Sequence, residues 1–190
     1  MVAQGLVKTS CALHALSILA NHVHMLVTPA EADALPAFVK CVAQRYAQYR
    51  NLNRGGTGKL FEQRYICRVV DSETYLAYVT AYIDLNPFAS GLISLRDRPY
   101  PYTTHHLHAG RLAAGAISRR IWSPSKWYIG LGKTSAERAA GYEEALRQFA
   151  STGVVETAVA AVNETDERSA VPRLYSSHQR FERPNGTTAL

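Results

Sequence analysis

Two short stretches of the chain carry side chains able to do chemistry. In "ANHVHML", His22 and His24 stand one residue apart within an apolar run. Alternate residues of a strand project to one face, so this spacing predicts two imidazoles side by side, placed to chelate one divalent metal. In "AYIDLNPF", Tyr82 and Asn86 are four apart, and one helical turn stacks them on a single face. The amide oxygen suits a hard cation such as Mg2+ or Mn2+, and the phenol is a candidate nucleophile. Each pattern alone also fits an ordinary structural role: half-exposed histidines with hydrogen-bonded partners, or tyrosine packing on a helix that stops before proline. Tyr75 and Tyr78 share the predicted helix, but only Tyr82 has an asparagine one turn below it. A second His-x-His, His106 and His108 in "THHLHAG", lacks strand character and is expected to face solvent or contact phosphate.

The elements that must position these residues follow from periodicity. Residues 10–20 and 22–28 read as two strands around a tight connection near Ala20-Asn21. Leu35, Phe38, Val39, Val42, Tyr46 and Tyr49 recur at helical spacing until Gly55-Gly56 stop the pattern. "KLFEQRYICRVV" alternates and predicts a third strand. "DSETYLAYVTAYIDLNP" predicts a helix capped by Asp71 or Ser72 and closed by Pro87. Mixed elements without regular strand–helix–strand alternation argue for an α+β class with an antiparallel sheet. Residues 92–130 are looser, and Thr134 with Glu137 forms a capping box that opens another helix. A short helix around 154–162 and a polar tail complete the chain. This divides it into a catalytic domain at 1–91, an extension at 92–150, and a short helix and flexible tail at 151–190.

Composition narrows the setting. The 190 residues carry a formal charge of +6, concentrated in the middle of the chain. From Lys40 to Val70 Glu62 is the lone acid among Lys40, Arg45, Arg50, Arg54, Lys59, Arg64 and Arg68, interleaved with Tyr46, Tyr49, Phe61 and Tyr65. Such alternation suits a surface that neutralises phosphates and stacks unpaired bases, although charge alone fits a solvated helix face equally well. No apolar run reaches the roughly 18–20 residues needed to span a bilayer, and the N-terminus lacks a signal-peptide pattern. Cys11, Cys41 and Cys67, odd in number and widely spaced, suit a reducing compartment, so a cytoplasmic protein is expected.

Taken together and in this order, the motifs resemble those of the REP-associated tyrosine transposases, HUH single-strand nucleases with one catalytic tyrosine. "LANHVHMLVTP" is similar to their Pro-Asn-His-Val-His strand, with Ala20 in place of proline. "GKLFEQRY", residues 58–65, matches Gly-x-Leu-Phe-x-x-Arg-Tyr, and "YIDLNPFASGL" matches Tyr-Ile-x-x-Asn-Pro, with Ser90 interrupting the usual Ala-Gly. "DRPYPYTTHHLHAG" and "LGKTSAERAAGYEEAL" extend the likeness to about residue 150. The resemblance implies a ferredoxin-like HUH fold in a bacterial transposase acting on single-stranded or hairpin DNA at REP-type repeats, as a monomer or homodimer. It implies His22, His24 and Asn86 as ligands of Mg2+ or Mn2+, and Tyr82 as the nucleophile that forms a 5′-phosphotyrosine before strand transfer. Arg45, Arg50, Arg54, Lys59, Arg64 and Arg68 are the expected DNA contacts. Family members carry a further strand and helix ahead of the strand leading to the His pair. The short segment before His22 predicts that this first strand and helix are missing. The alternatives are a truncated remnant that only binds DNA, and a small phosphohydrolase that uses the His pair to activate water.

Overall fold

A computed structural model of the chain describes residues 1–61, 63–91, 100–111, 117–151 and 187–189. The apolar runs either side of Ala20-Asn21 form an antiparallel pair, β1 (Ala12–Ile18) and β2 (Val23–Thr28). A bulge between Leu13 and Ala15 makes His14 an extra residue on β1, so Leu13 and Leu16 reach the same face despite their spacing. That face also carries Met25 and Val27 and packs on α2 (Ala34–Arg54) through Leu35 and Phe38. The other face carries Ala15 and Leu26 and packs on α3 (Glu73–Ala89) through Leu76, Val79 and Ile83. The sheet is thus covered by helices on both sides, an α+β arrangement.

A helix precedes β1, which corrects the expectation that a first helix is missing. It is α1 (Val2–Thr9), ended by Ser10 in the left-handed conformation at φ 52°. Gly5 lets it lie directly on α2, since a Cβ there would stand 3.0 Å from Phe38 Cδ2. Among the described residues β1 is the first strand. In α3, Ser72 is the N-cap, its Oγ accepting the Tyr75 N–H at 3.2 Å. Pro87 lies inside this helix rather than closing it. The helix runs on through Phe88 and Ala89 before Ser90 caps it, its N–H donating to the Asn86 carbonyl.

The third strand is much shorter than the alternation of residues 59–70 predicts. Only β3 (Arg68–Val70) pairs, while Phe61 and Ile66 stay exposed. Alternation supplies two faces but no backbone partner, and a strand forms only where one exists. The partner here comes from the far end of the chain. β4 (Thr187–Ala189), expected to lie in a flexible tail, pairs antiparallel with both β2 and β3. The order is β1-β2-β4-β3. The helix expected around 154–162 lies outside the described residues.

The outer edge of β1 is covered by the extension, which leaves no open ladder there. Ile18 N–H donates to the Tyr102 carbonyl at 2.9 Å, Thr104 N–H to the Leu16 carbonyl at 2.9 Å, and Ser123 N–H to the Leu13 carbonyl at 2.8 Å. Beyond this edge lie α4 (His105–His108), a 3-10 turn at Arg119–Ile121, α5 (Lys126–Gly130) and α6 (Ser135–Ser151). The capping box at the start of α6 forms as predicted: Glu137 N–H donates to Thr134 Oγ1 at 3.2 Å, and Thr134 N–H to Glu137 Oε2 at 3.1 Å. Tyr128, Tyr142 and Leu146 close a third core against Ala81 of α3. Among the described residues no helix is long and apolar enough to cross a membrane.

Candidate metal and tyrosine site

His24 shares the parity of Leu26, the residue that packs on α3, so its ring is directed toward that helix. His22, just before β2, lies beside it: the ring centroids are 4.8 Å apart and nearly perpendicular. Tyr82, on the facing side of α3, meets His24 edge to face at 5.3 Å. The structure therefore brings the two sequence motifs into one place. Asn86 sits one turn further along α3, buried, its Oδ1 accepting from Ser90 Oγ at 3.1 Å.

Several polar atoms at this point have no partner of good geometry among the described residues. His24 Nε2 and the Tyr82 hydroxyl are two of them, both buried. Ser17, the cross-strand neighbour of His24 on β1, has a buried, unpartnered Oγ as well. Sequence patterns gave no sign of Ser17; only the register of β1 against β2 places it there. A buried polar group without a partner costs about 1–3 kcal/mol, which sets these three atoms apart from the satisfied polar groups of the core.

The protonation states leave nitrogen lone pairs at the site. Burial first, and then the neighbouring His22, hold the His24 imidazole down to about 4, so it is neutral at pH 7 with a lone pair to give. His22 Nδ1 lies 2.6 Å from Asn21 Oδ1, an acceptor, which places the ring proton on Nδ1 and the lone pair on Nε2. Burial pushes the Tyr82 phenol up to about 12, the Asn86 side chain opposing and Tyr78 adding to the shift. The two imidazoles and one amide have the donor chemistry for Mg2+ or Mn2+. Among the described residues no group of three or more His, Cys, Asp or Glu side chains gathers to hold a metal, and this mixed set lies outside that pattern.

The second His-x-His is not at the surface. His106 and His108 are 3% and 0% exposed, which overturns their expected solvent-facing role. Asp84, between Tyr82 and Asn86 in sequence, points to the opposite side of α3 and is itself 0% exposed. Its carboxylate accepts from His108 Nδ1 at 2.6 Å, Thr104 Oγ1 at 2.7 Å, Tyr142 Oη at 2.8 Å and Thr103 Oγ1 at 3.3 Å. Burial pushes the Asp84 carboxyl up, but His108, His105 and Thr104 outweigh it and hold it below the usual range. His106 Nε2 donates to the Ile117 carbonyl at 3.0 Å. This second His-x-His serves a buried clamp between α3, α4 and α6.

The basic candidates are exposed but do not converge on Tyr82. Arg45, Arg50 and Arg54 lie on α2, across the sheet from α3, and Arg45 donates to Gln4 Oε1 of α1 at 2.6 Å. Lys59 and Arg64 are exposed in the stretch between α2 and β3. Arg68, at the start of β3, acts on Tyr75 of α3, where its charge opposes the burial that raises that phenol. Tyr46 and Phe61 stand 6.2 Å apart, while Tyr65 packs on the α2 side of the core. No protein-family model matches the chain, and neither curated proteins nor solved structures show a significant likeness to it.

Proposed function

We propose that this chain is an HUH-type, transposase-like protein that cuts and rejoins single-stranded DNA, with Tyr82 as nucleophile and a divalent metal held by His22, His24 and Asn86. The observation that carries this reading is the meeting of Tyr82 with His24. Two motifs far apart in sequence place their rings 5.3 Å apart, with the phenol oxygen and imidazole Nε2 both buried and unpartnered. An antiparallel sheet that carries the His pair under a helix that carries the tyrosine accords with the ferredoxin-like HUH architecture.

When bound, the cation would draw electron density from a phosphoryl oxygen and ease ionisation of the nearby phenol. That help matters, because a phenol held at about 12 is almost wholly protonated at neutral pH. Tyr82 Oη bonds to phosphorus, its proton passes to solvent, and the bond from phosphorus to the 3′ oxygen breaks. That oxygen takes up a proton and leaves as a 3′-OH, while the downstream strand stays attached through a 5′-phosphotyrosine. A second 3′-OH reverses the step, joining a new strand and releasing Tyr82. Buried Asp84, clamped on the far side of α3, fixes the rotation of the helix that presents Tyr82 and Asn86. Arg68, beside Tyr75, would take a phosphate along α3 from the site, and Arg45, Arg50, Arg54, Lys59 and Arg64 would serve more distant DNA.

Hairpin oligonucleotides labelled at the 5′ or 3′ end, incubated with Mn2+, test the reading. The expected result is a covalent adduct carrying the 3′ label, lost in Tyr82→Phe and in His24→Ala. Binding without any adduct, unchanged in Tyr82→Phe, would instead make the chain a DNA-binding remnant. Cleavage that survives Tyr82→Phe but needs the His pair would make it a metal-dependent hydrolase that activates water.

A further inference from the structure

Tyr82 is one ring in a longer aromatic row. Tyr75, Tyr78 and Tyr82 recur three and four residues apart, so they line one strip of α3. Tyr75 and Tyr78 have centroids 6.3 Å apart and planes 16° from parallel; for Tyr78 and Tyr82 the values are 6.5 Å and 22°. The row then crosses to β2 through His24 at 5.3 Å and ends on exposed His22, 4.8 Å further. Phe149 of α6 meets the edge of Tyr78 at 6.3 Å and buttresses it.

The three tyrosines pack on the core of α3 and the sheet, yet each keeps part of its surface exposed. The residues of α3 that fill the core, Leu76, Val79 and Ile83, are buried, whereas the three tyrosines beside them stay half-exposed. At the far end of the row stands Arg68, with Asp71 next to it; the two act on Tyr75 in opposite directions. Near-parallel, partly exposed rings, a cation at one end and the candidate nucleophile at the other are the parts of a single-strand track. Unpaired bases stack on such faces for about 1–3 kcal/mol each, whatever their sequence. Bases in a duplex offer no free face.

We propose that Tyr75 and Tyr78 form a stacking platform for the unpaired nucleotides beside the scissile phosphate, with Arg68 holding a backbone phosphate at its outer end. This inference rests on the reading of Tyr82 as the nucleophile and extends it to how the strand is held.

The test uses the full chain without metal, so that binding is read apart from cleavage. Oligonucleotides carry a single 2-aminopurine, or a single abasic site, at successive positions around the cleavage point. The expected result is fluorescence quenching at one or two positions in the wild type and in Tyr78→Phe, and its loss in Tyr75→Leu and Tyr78→Leu. Each Leu variant should bind about 5- to 100-fold more weakly. An abasic site at the quenched position should weaken the wild type equally and add nothing in the Leu variants. If the Leu variants fold poorly, the abasic scan on the wild type decides alone: equal affinity at every position overturns the platform. Wild-type affinity and quenching in both Leu variants, with the adduct forming once Mn2+ is added, also overturn the platform while leaving Tyr82 as nucleophile. A wild type that neither binds single strands nor forms an adduct overturns both.

Discussion

Helix α3 separates two polar clusters built on opposite principles. On one side, Asp84 is fully buried and accepts hydrogen bonds from Thr103, Thr104, His108 and Tyr142. On the other, Ser17 Oγ, His24 Nε2 and Tyr82 Oη are buried with no partner among the described residues. His106 and His108 each leave one ring nitrogen unpaired as well, but the other nitrogen of each ring is bonded. A chain that satisfies one buried carboxylate so fully has the means to satisfy three neutral groups a helix diameter away. That it does not sets the cluster that holds the molecule together apart from the cluster that carries the proposed site.

The widest gap between the two sides is expected in stability. Replacing Asp84 with Ala strands the donors of Thr104, His108 and Tyr142 in the core and should cost about 3–5 kcal/mol, read by urea denaturation. Tyr82→Phe removes an oxygen with no well-formed hydrogen bond among the described residues and should leave stability within about 0.5 kcal/mol, or raise it, while abolishing the DNA adduct. Equal losses from the two substitutions would erase the contrast.

A smaller effect should follow from removing residues 187–190. The backbones of Leu26 and Val27, beside the His pair, and of Arg68 to Val70 then lose the partners that β4 provides. At about 0.5–1.5 kcal/mol per hydrogen bond, a loss of about 2–4 kcal/mol is expected, with faster amide exchange in β2 and β3. Unchanged exchange there would show that the sheet closes without β4.

Acid probes both sides at once. Burial is the main cause holding His14, His24 and His105 below the ordinary histidine value of 6.5. The unfolded chain therefore binds protons near 6.5 that the folded one refuses. Stability should be full above that pH and decline as pH falls from about 6.5 toward 4, the value for His24. In thermal melts across this range, His24→Asn should flatten the decline; a slope unchanged from wild type would remove His24 as a contributor. The smallest effect is expected far from both clusters. Glu137→Ala opens the capping box of α6 and should cost about 1 kcal/mol in a denaturation midpoint, with no change in adduct yield.

Much of the local structure was legible in the chain. Ser72 before "ETYL" and Thr134 with Glu137 mark helix starts because the orphan N–H groups of a first turn need nearby oxygens. Gly55 stops α2 in the conformation that glycine alone adopts readily, at φ 64°. The period of two in β2 and of four in α3 put His22 with His24 and Tyr82 with Asn86. What local pattern misjudged depended on partners elsewhere. The alternation in 59–70 promised a strand, yet only Arg68–Val70 finds a ladder. "THHLHAG" looked like a polar surface turn because no local signal shows that a carboxylate 24 residues earlier accepts from His108. Pro87 looked like a stop because the turn that continues past it has no strong local signature.

The sequence by itself thus determined which residues share a face, because helix and strand periods are properties of the backbone alone. It supplied the two halves of the candidate site and the elements that carry them. Only the tertiary structure decided that the halves meet, that Ser17 joins them, that Asp84 anchors the far side of the same helix, and that the last residues of the chain close the sheet. Those outcomes turn on burial and on pairing between distant segments, which no short-range pattern encodes.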